Sequence, residues 1–407
     1  MNRRRVLLGC YSSNLIMSIV AALSPILFVT FKELYHISFG LLGLLVLINF
    51  FTQLTVDLIF TFYSYKFNIE KVSKLIPLIG SFGFLIYSIM PVLIPNNAYL
   101  WLVIGTIIFS ASSGLGEVLL SPIVAALPSD NKEKDMSKLH SIYAWGVVSF
   151  VIIGTVILKI IGDEFWFIIG LIGTVVGLFS FSLFCKCKLP DLNNQEITNK
   201  KLTINKGIIL CAIVIFFSGA AECTMAQWSS SYIETALKIP KLIGDIFGTA
   251  LFAAMLALGR TLYSKNGKNI LNVLIIGMFG AFICYIITSL VLNPVISLIA
   301  CVLCGLCVSM LWPGVIILIG EKYAFAGVAV YALMAAAGDL GAALVPQMVG
   351  IITDSVSSSE FAFTLANDLL ITTEQIGIRS GILIASIFPL LGFIMLLFLK
   401  KNLKKGI

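Results

Sequence analysis

The sequence predicts an all-α membrane protein with twelve transmembrane helices arranged in two pseudo-symmetric six-helix bundles. The first observation is composition: hydrophobic residues make up 59% of the chain, charged residues 12%, and the mean hydropathy is +1.04. A soluble domain carries about 25% charged residues, so this chain needs lipid to cover much of its surface. The second observation is a series of long apolar segments, and the third is a motif shared by the two halves.

Twelve apolar segments follow one another along the chain, each close to the length of about 20 residues that a membrane span requires. A span must satisfy its backbone hydrogen bonds internally, so each segment is predicted to be a helix. The segments cover residues 6–30, 39–63, 75–94, 98–127, 139–161, 165–185, 207–236, 242–263, 270–291, 295–320, 327–353 and 376–399. Residues 354–374, between the last two segments, are too polar to span and are expected to form a short surface helix.

The distribution of Lys and Arg predicts the orientation in the membrane. With both termini in the cytoplasm, 22 of the 27 Lys and Arg residues fall on the inner side and five on the outer side. This asymmetry favours a multi-pass protein of the cell membrane with cytoplasmic termini. The net charge of +7 therefore reflects the inner loops, and no nucleic-acid partner is expected. A polar inner segment predicts three parts: an N-terminal bundle (1–185), a cytoplasmic linker (186–206) and a C-terminal bundle (207–407).

A nine-residue motif relates the two halves. GLGEVLLSP at residues 114–122 recurs as GLCVSMLWP at residues 305–313, and four positions are identical, including the final Pro. This likeness indicates an internal duplication. The second copy has Val308 in place of Glu117 and Trp312 in place of Ser121. A shared scaffold with unequal polar residues is what a two-half transporter needs at its central cavity.

Motifs for catalysis and for cofactor binding are missing from the sequence. It contains no H-E-x-x-H, no G-x-S-x-G and no G-x-x-x-x-G-K-[ST] sequence, so an enzyme is not expected. Cys301, Cys304 and Cys307 have the spacing of a cluster site, but they lie in an apolar run with no nearby His. Helix packing is favoured for them over metal binding, and neither a metal nor another cofactor is expected.

Glu117 is the strongest functional candidate, because a charged group at membrane depth costs roughly 2.5–3.5 kcal/mol and needs a reason. Protonation would neutralise this carboxyl and lower the cost of a conformational change. The alternative is a structural role in helix packing, with the carboxyl satisfied by Ser112, Ser113 or Ser121. If Glu117→Gln transports normally across a pH series, the functional interpretation is wrong.

The seventh segment contains an acid, an amide and an aromatic ring within two helical turns: Glu222, Gln227 and Trp228. Such a set could bind a polyol through hydrogen bonds to its hydroxyls and contact with the indole. The alternative for Trp228 is a place in the aromatic belt at the outer interface. Trp312 lies near mid-membrane, where a belt role is a weaker explanation.

Asn49, Gln53 and Asp57 are spaced i, i+4 and i+8 in the second segment and form one polar stripe. The stripe is expected to face a cavity or a neighbouring helix, with Asn49 and Gln53 available to substrate. Asp57 and Arg260 lie at similar depths in corresponding segments of the two halves, so a charge role at the inner gate is favoured for both. Asp339 is either a coupling carboxylate or a helix cap.

The twelve spans, the inner linker and the related halves resemble the major facilitator superfamily over essentially the whole chain. Within it, the chain looks like the fucose-permease-like branch of sugar:proton symporters. The resemblance rests on Gly116-Glu117 with Ser121-Pro122, on GAAE at 219–222, on WPGVIILIG at 312–320 and on GDLGAALVP at 338–346. It implies that Glu117 contacts the sugar and takes part in proton coupling. The acid that this branch carries in its first helix is missing, since the stretch NLIMSIVAALSP has only Asn14 and Ser18 as polar residues before Ser24.

These observations predict a secondary active transporter that works by alternating access on a small polar solute such as a sugar, with the proton as coupling ion. We expect it to act as a monomer in lipid. The predicted substrate-binding residues are Asn49, Gln53, Glu117, Gln227, Trp228 and Trp312, and the predicted proton-coupling residues are Glu117, Glu222 and Asp339.

Two other functions stay open. The first is a proton-driven exporter of drugs or metabolites, although the fifth segment, WGVVSFVIIGTVI, lacks the Pro of the exporter signature G-x-x-x-G-P-x-x-G. The second is a non-transporting membrane receptor, which predicts that carboxylate-to-amide changes leave function intact.

Overall fold

The computed structural model describes residues 3–63, 66–128, 132–189, 206–266, 269–322 and 328–404, and its regular elements there are helices. The first half of the chain contains α1 (Arg3–Tyr35), α2 (Phe39–Tyr63), α3 (Ile69–Leu93), α4 (Ala98–Ala126), α5 (Lys132–Ile161) and α6 (Phe167–Phe184). The second half contains α7 (Lys206–Leu237), α8 (Lys241–Gly244), α9 (Leu251–Asn266), α10 (Ile270–Leu290), α11 (Pro294–Val308), α12 (Leu311–Lys322), α13 (Val328–Ser357), α14 (Glu360–Leu369), α15 (Thr373–Ala385) and α16 (Ile387–Lys404).

The predicted fold class is confirmed: twelve helical stretches among the described residues are long and apolar enough to cross a membrane. Three of the spans are less regular than the sequence predicts. The eighth joins α8 to α9 through a π-helical turn, Asp245–Ala250, the tenth is broken between α11 and α12, and the twelfth is divided into α15 and α16. The surface helix expected between the last two spans is present as α14.

The chain folds into two compact units. One consists of Met1–Thr30 and Ile48–Asn199, and the other of Phe31–Leu47 and Lys200–Ile407. The end of α1 and the start of α2 thus group with the second half of the chain, although the first half encodes them. Most of the predicted linker, residues 190–205, lies outside the described residues, and the predicted bundle limits at 185 and 207 stay a prediction.

Each unit buries its own apolar interior. In the first unit, α3 packs on α4 and α6, and its core includes Ile76, Leu120, Ile123 and Phe184. In the second unit, α7 and α15 pack on α13, α16 packs on α7, and α10 packs on α11. Burial of such apolar side chains brings the helices close enough for the few polar groups between them to meet.

The two copies of the nine-residue motif take equivalent positions, each within its own unit. Gly114 on α4 lies against α2, where a Cβ would stand 3.1 Å from the Cα of Gln53. Gly305 on α11 lies against α9, where a Cβ would collide with the carbonyl oxygen of Phe252. The span that contains α2 is the second of the first half, and the span that contains α9 is the second of the second half. The first glycine of each motif therefore packs on the second span of its own half. This agrees with the internal duplication that the sequence predicts.

Candidate functional site

In the first unit, the polar stripe of α2 faces α4. Asn49 Oδ1 accepts hydrogen bonds from Gln53 Nε2 at 3.1 Å and from the Ser110 hydroxyl at 2.6 Å. Both amide side chains are buried, with 8% exposure each. These two bonds orient the stripe and do not use Asn49 Nδ2 or Gln53 Oε1. The pair can therefore offer one donor and one acceptor to a polar solute.

Glu117 and Asp57 lie further along the same two helices. On α4, Ser110, Gly114 and Glu117 are spaced i, i+4 and i+7 on one face, and the first two meet Asn49 and Gln53. Both helices run in the same direction, so this register brings Glu117 to the depth of Asp57. The Asp57 side chain is buried, whereas that of Glu117 is exposed between two buried residues, Leu115 and Leu119. Of these two carboxyls, Glu117 is therefore the more accessible.

In the second unit, Glu222 on α7 forms an ion pair with Arg260 on α9, with Nη2 and Oε1 2.8 Å apart. The Nε of Arg260 also donates to the carbonyl oxygen of Ser309 at 3.0 Å. That carbonyl lies at the break between α11 and α12, four residues before Pro313, which has no N–H to donate to it. Arg260 therefore replaces a missing helix hydrogen bond while it neutralises Glu222.

The ion pair leaves one carboxylate oxygen unused. Glu222 Oε2 is buried and has no hydrogen-bond partner in the described protein. A buried oxygen without a donor is costly, by about 1–3 kcal/mol, and such groups in native proteins need an explanation. A water molecule or a hydroxyl of a bound solute could donate to it, and a proton on Oε2 would remove the negative charge.

Trp312 lies beside this ion pair. Its ring covers Gly338 of α13, where a Cβ would stand 2.5–2.9 Å from the indole, and it also approaches Gly219 of α7. Gly219 is one helical turn before Glu222, so the indole and the carboxylate follow one another along the same face of α7. Asp339, which follows Gly338, is buried at 5% exposure. Trp312 thus provides an apolar wall next to the polar group.

Gly338→Leu is expected to lower thermal stability, because the added side chain needs the space of the indole. Overpacking of this kind costs about 1–3 kcal/mol. The melting temperature of the purified protein in detergent measures the effect. Adding Trp312→Ala to Gly338→Leu vacates the space and should recover part of the loss. If the double variant is no more stable than Gly338→Leu, the contact does not have the role assigned to it.

Gln227 and Trp228 are buried on α7, with 6% and 0% exposure. Trp228 Nε1 donates to the carbonyl oxygen of Pro346 on α13 at 3.0 Å, and its ring lies 5.7 Å from that of Phe39. Its polar atom and its ring therefore both have protein partners. A lipid-facing belt position does not fit a fully buried ring.

Two polar features of the spans were not predicted from the sequence. The first is the Ser309 carbonyl at the helix break, for which Pro313 four residues later was an available signal. The second is Asp245, a carboxylate with 1% exposure that lies in the π-helical turn and accepts a hydrogen bond from Ser230. Its position at the predicted end of a span gave no sign that it is buried.

The polar residues of the first span join α1 to α5. Asn14 Nδ2 donates to the carbonyl oxygen of Leu139 at 2.6 Å, and the Ser18 hydroxyl donates to that of Tyr143 at 2.9 Å. These bonds give both side chains a packing role in the first unit.

Comparison with known proteins places this arrangement in a family. A sequence profile described as Major Facilitator Superfamily matches residues 9–346, which is more than four fifths of the chain. No curated protein matches the sequence.

Several solved structures have the same fold. A bacterial homologue of the human lysosomal transporter Spinster, in an inward-facing and unoccupied conformation, is 14% identical with a TM-score of 0.73, covering 99% of this chain and 98% of its own. A D-xylose-proton symporter is 15% identical with a TM-score of 0.71 and coverage of 95% and 96%. The nucleoside transporter NupG is 14% identical with a TM-score of 0.68 and coverage of 98% and 100%.

Proposed function

The chain belongs to the major facilitator superfamily and is a multi-pass membrane transporter, not an enzyme, and from this premise we propose that it moves a small polar solute, a sugar, together with protons by alternating access. In the proposed setting it lies in the cell membrane with both termini in the cytoplasm. The fucose-permease-like branch stays part of this proposal.

The observation that carries the proposal is the unused oxygen of Glu222. A proton on Oε2 turns the carboxylate into a neutral acid and weakens its attraction to Arg260. The guanidinium then keeps its bond to the Ser309 carbonyl at the helix break, so protonation changes the forces on α7, α9 and α11 together. Deprotonation restores the ion pair. In this proposal Glu222 and Arg260 couple the proton to the movement of helices in the second unit.

Solute recognition is proposed for side chains with free polar atoms. In the first unit these are Asn49 Nδ2, Gln53 Oε1 and the exposed carboxylate of Glu117, a set that matches the alternating donors and acceptors of a polyol. In the second unit Trp312 supplies an apolar surface for the ring face of a sugar. Trp228 is left out of this proposed set, because its N–H and ring are both taken by protein groups.

The other predicted residues have secondary roles in the proposal. Gln227 stays a candidate for solute binding on α7. Asp339 is buried at the crossing of α7 and α13, where a change of charge would act on helix packing. Asp57, at the depth of Glu117, is proposed to set the field around that carboxylate.

The solute class is supported by two structurally similar proteins, one a D-xylose-proton symporter and the other a nucleoside transporter. Xylose and nucleosides both present the hydroxyls of a pentose. Export of cationic drugs is a weaker alternative, because the guanidinium of Arg260 neutralises the acid that would attract a cation in the second unit.

Uptake by proteoliposomes tests the proposal. We expect radiolabelled sugars, screened with and without an inward pH gradient, to include one that accumulates only with the gradient. Glu222→Gln proteoliposomes, reconstituted at the same density, are the matched control for the coupling. Accumulation of lipophilic cations under an opposite gradient, with no sugar transported, would instead indicate an exporter.

A further inference from the structure

A buried carboxylate in the second unit takes no part in the proposed transport mechanism. Asp245 lies in the π-helical turn of the eighth span, and its side chain is 1% exposed. It accepts a hydrogen bond from the Ser230 hydroxyl of α7. A carboxylate buried within a membrane span is costly, and such groups commonly mark a path or a site for an ion or a substrate. The groups around Asp245 therefore indicate what it can bind.

Hydroxyl groups line this part of the interface between α7 and the eighth span. The Ser229 hydroxyl donates to the Thr249 hydroxyl at 3.2 Å, so a second polar contact lies beside that of Ser230 with Asp245. All four side chains are buried, with at most 7% exposure. We call Ser229, Ser230, Asp245 and Thr249 the oxygen cluster. It places one carboxylate and three hydroxyls together inside one unit of the protein.

Two glycines bring the helices close together at the oxygen cluster. A Cβ at Gly244 or at Gly248 would collide with the side chain of Ile233 on α7. Both glycines and Ile233 are buried. Because these two positions carry no side chain, the eighth span approaches α7 closely enough for Asp245 and Thr249 to reach its serines. The close packing therefore holds the four polar side chains in place.

The oxygen cluster has the ligand types and the spacing of a site for a hard cation. Such cations prefer oxygen ligands, and a hydroxyl that donates one hydrogen bond keeps lone pairs for a cation. Asp245 and Thr249 are four residues apart, which places neighbouring Cβ atoms about 5–6 Å apart on a helix. A cation that holds its ligands at about 2.3–2.6 Å spans about 5 Å between oxygens on opposite sides. An ion between the two polar contacts can therefore bind oxygens of both.

The charge of the oxygen cluster favours a monovalent cation. Asp245 gives the cluster a single negative charge. In the described chain, Glu234 follows Ser230 by one helical turn and Lys241 precedes Asp245 by four residues, and both are partly exposed and opposite in sign. The π-helical turn is a second observation that points to an ion. Such turns are frequent at functional sites, and irregular helices in transporters present backbone carbonyls to Na⁺.

We propose that the oxygen cluster binds Na⁺, with the Asp245 carboxylate as the charged ligand and the three hydroxyls as neutral ligands. The bound ion joins α7 to the eighth span, the same two spans that the ion pair of Glu222 with Arg260 joins. It therefore stabilises the packing of the helices that carry this ion pair. The site goes beyond the proposed function, because it requires neither a sugar nor proton coupling.

Thermal stability in the presence of sodium tests the proposal. The melting temperature of the purified full-length protein is measured in detergent while NaCl replaces choline chloride at constant ionic strength and pH. A ligand that binds the folded state alone stabilises it in a saturable way. We expect the melting temperature to rise by about 2–4 °C when the sodium concentration is about ten times Kd. Binding of radioactive sodium to the same protein should saturate at a single ion per chain.

Two variants and a matched control assign the effect to the oxygen cluster. Asp245→Asn keeps the size of the side chain and removes its charge, so the sodium-dependent rise should be lost. Thr249→Val keeps the shape and removes one hydroxyl, so Kd for sodium should rise about fivefold to tenfold. Asp368→Asn makes the same change at an exposed acid of α14 and should respond to sodium as the wild type does.

Three outcomes would overturn the sodium site. The first is a wild type whose melting temperature does not depend on sodium, which would assign the neutralisation of Asp245 to protein groups such as Lys241. The second is an unchanged sodium response in Asp245→Asn, and the third is a loss of that response in Asp368→Asn. If Asp245→Asn does not fold, Thr249→Val carries the test, and an unchanged Kd then overturns the proposal. Neither measurement contains a solute, so a failure of the proposed transport function leaves both unaffected.

Discussion

Glu222→Gln is expected to abolish proton-driven accumulation of the solute while solute exchange across the membrane continues. Glutamine keeps an oxygen for Arg260 to bind but cannot gain or lose the proton, so the switch is fixed in its neutral form. Accumulation should fall by more than about tenfold, the effect of losing a single coupling step worth roughly 1.4 kcal/mol or more. Counterflow, in which labelled solute outside exchanges with unlabelled solute inside, measures the part that persists.

The partner residue gives the second half of this test. Arg260→Ala removes the cation that pairs with Glu222 and the donor that binds the Ser309 carbonyl. It should therefore lower the free energy of unfolding more than Glu222→Gln does. Removing one partner of a fully buried pair costs roughly 3–5 kcal/mol. Because the Arg260 side chain is 36% exposed, we expect Arg260→Ala to lower the free energy of unfolding by about 2 kcal/mol.

The double variant Glu222→Gln/Arg260→Ala closes the cycle. It should be more stable than Arg260→Ala alone, because no unpaired charge is left. It should be as unable to accumulate solute as Glu222→Gln is. Melting temperature in detergent and accumulation in proteoliposomes are the two measurements. If Glu222→Gln accumulates solute as the wild type does, or if Arg260→Ala is as stable as the double variant, the ion pair is not the coupling element.

The sequence predicts the fold class well, because that depends on local properties that add along the chain. Each span is visible as about twenty apolar residues, and the duplication is visible as four matching positions. The register between helices cannot be predicted in this way, because it depends on how separate helices pack. From the sequence, Glu222 is predicted to take part in proton coupling and Arg260 in the inner gate, yet the two side chains are in contact. Nothing within α7 or α9 alone gives the rotation that aims them at each other.

Contacts between distant segments were beyond sequence reasoning for the same reason. Lys32 and Glu374 are 342 residues apart, and Asp354 caps a helix that begins more than 300 residues earlier. Each looks like an ordinary polar residue at the end of a span. Trp228 shows the converse: its neighbours in sequence suggest a binding face, but its N–H donates to the Pro346 carbonyl and its ring packs near Phe39.

The helix break at Ser309 could be predicted in part from the sequence. A Pro inside a span leaves the carbonyl four residues earlier without its donor, so Pro313 marks Ser309. The identity of the replacement donor is set by the packing of α9 on α11, where Gly259 lets the backbone approach Ser309 closely enough for Arg260 to reach its carbonyl. The motif copy in α4 also has a Pro, but α4 continues through it as one helix.

Glu117→Gln is expected to weaken solute binding and to flatten the pH dependence of transport. The carboxylate is exposed on α4, next in register after the contacts of Asn49 and Gln53, so a solute held by those amides lies within its reach. A hydrogen bond to a charged group contributes about 1.5–3 kcal/mol, so KM should rise about tenfold to a hundredfold.

Two measurements separate binding from coupling at Glu117. KM and kcat for uptake, taken across a pH series from about 5.5 to 8, should vary with pH in the wild type and vary less in Glu117→Gln, where Glu222 is the proton-binding carboxyl that is left. A role in helix packing alone predicts a lower melting temperature with an unchanged pH profile. The matched control is Glu70→Gln on α3. It removes an acid that pairs with Lys74 and accepts the Leu189 N–H, and it should leave both kinetic constants as they are. A wild-type pH profile in Glu117→Gln would move proton coupling entirely to the second unit, where Glu222 then has to carry it.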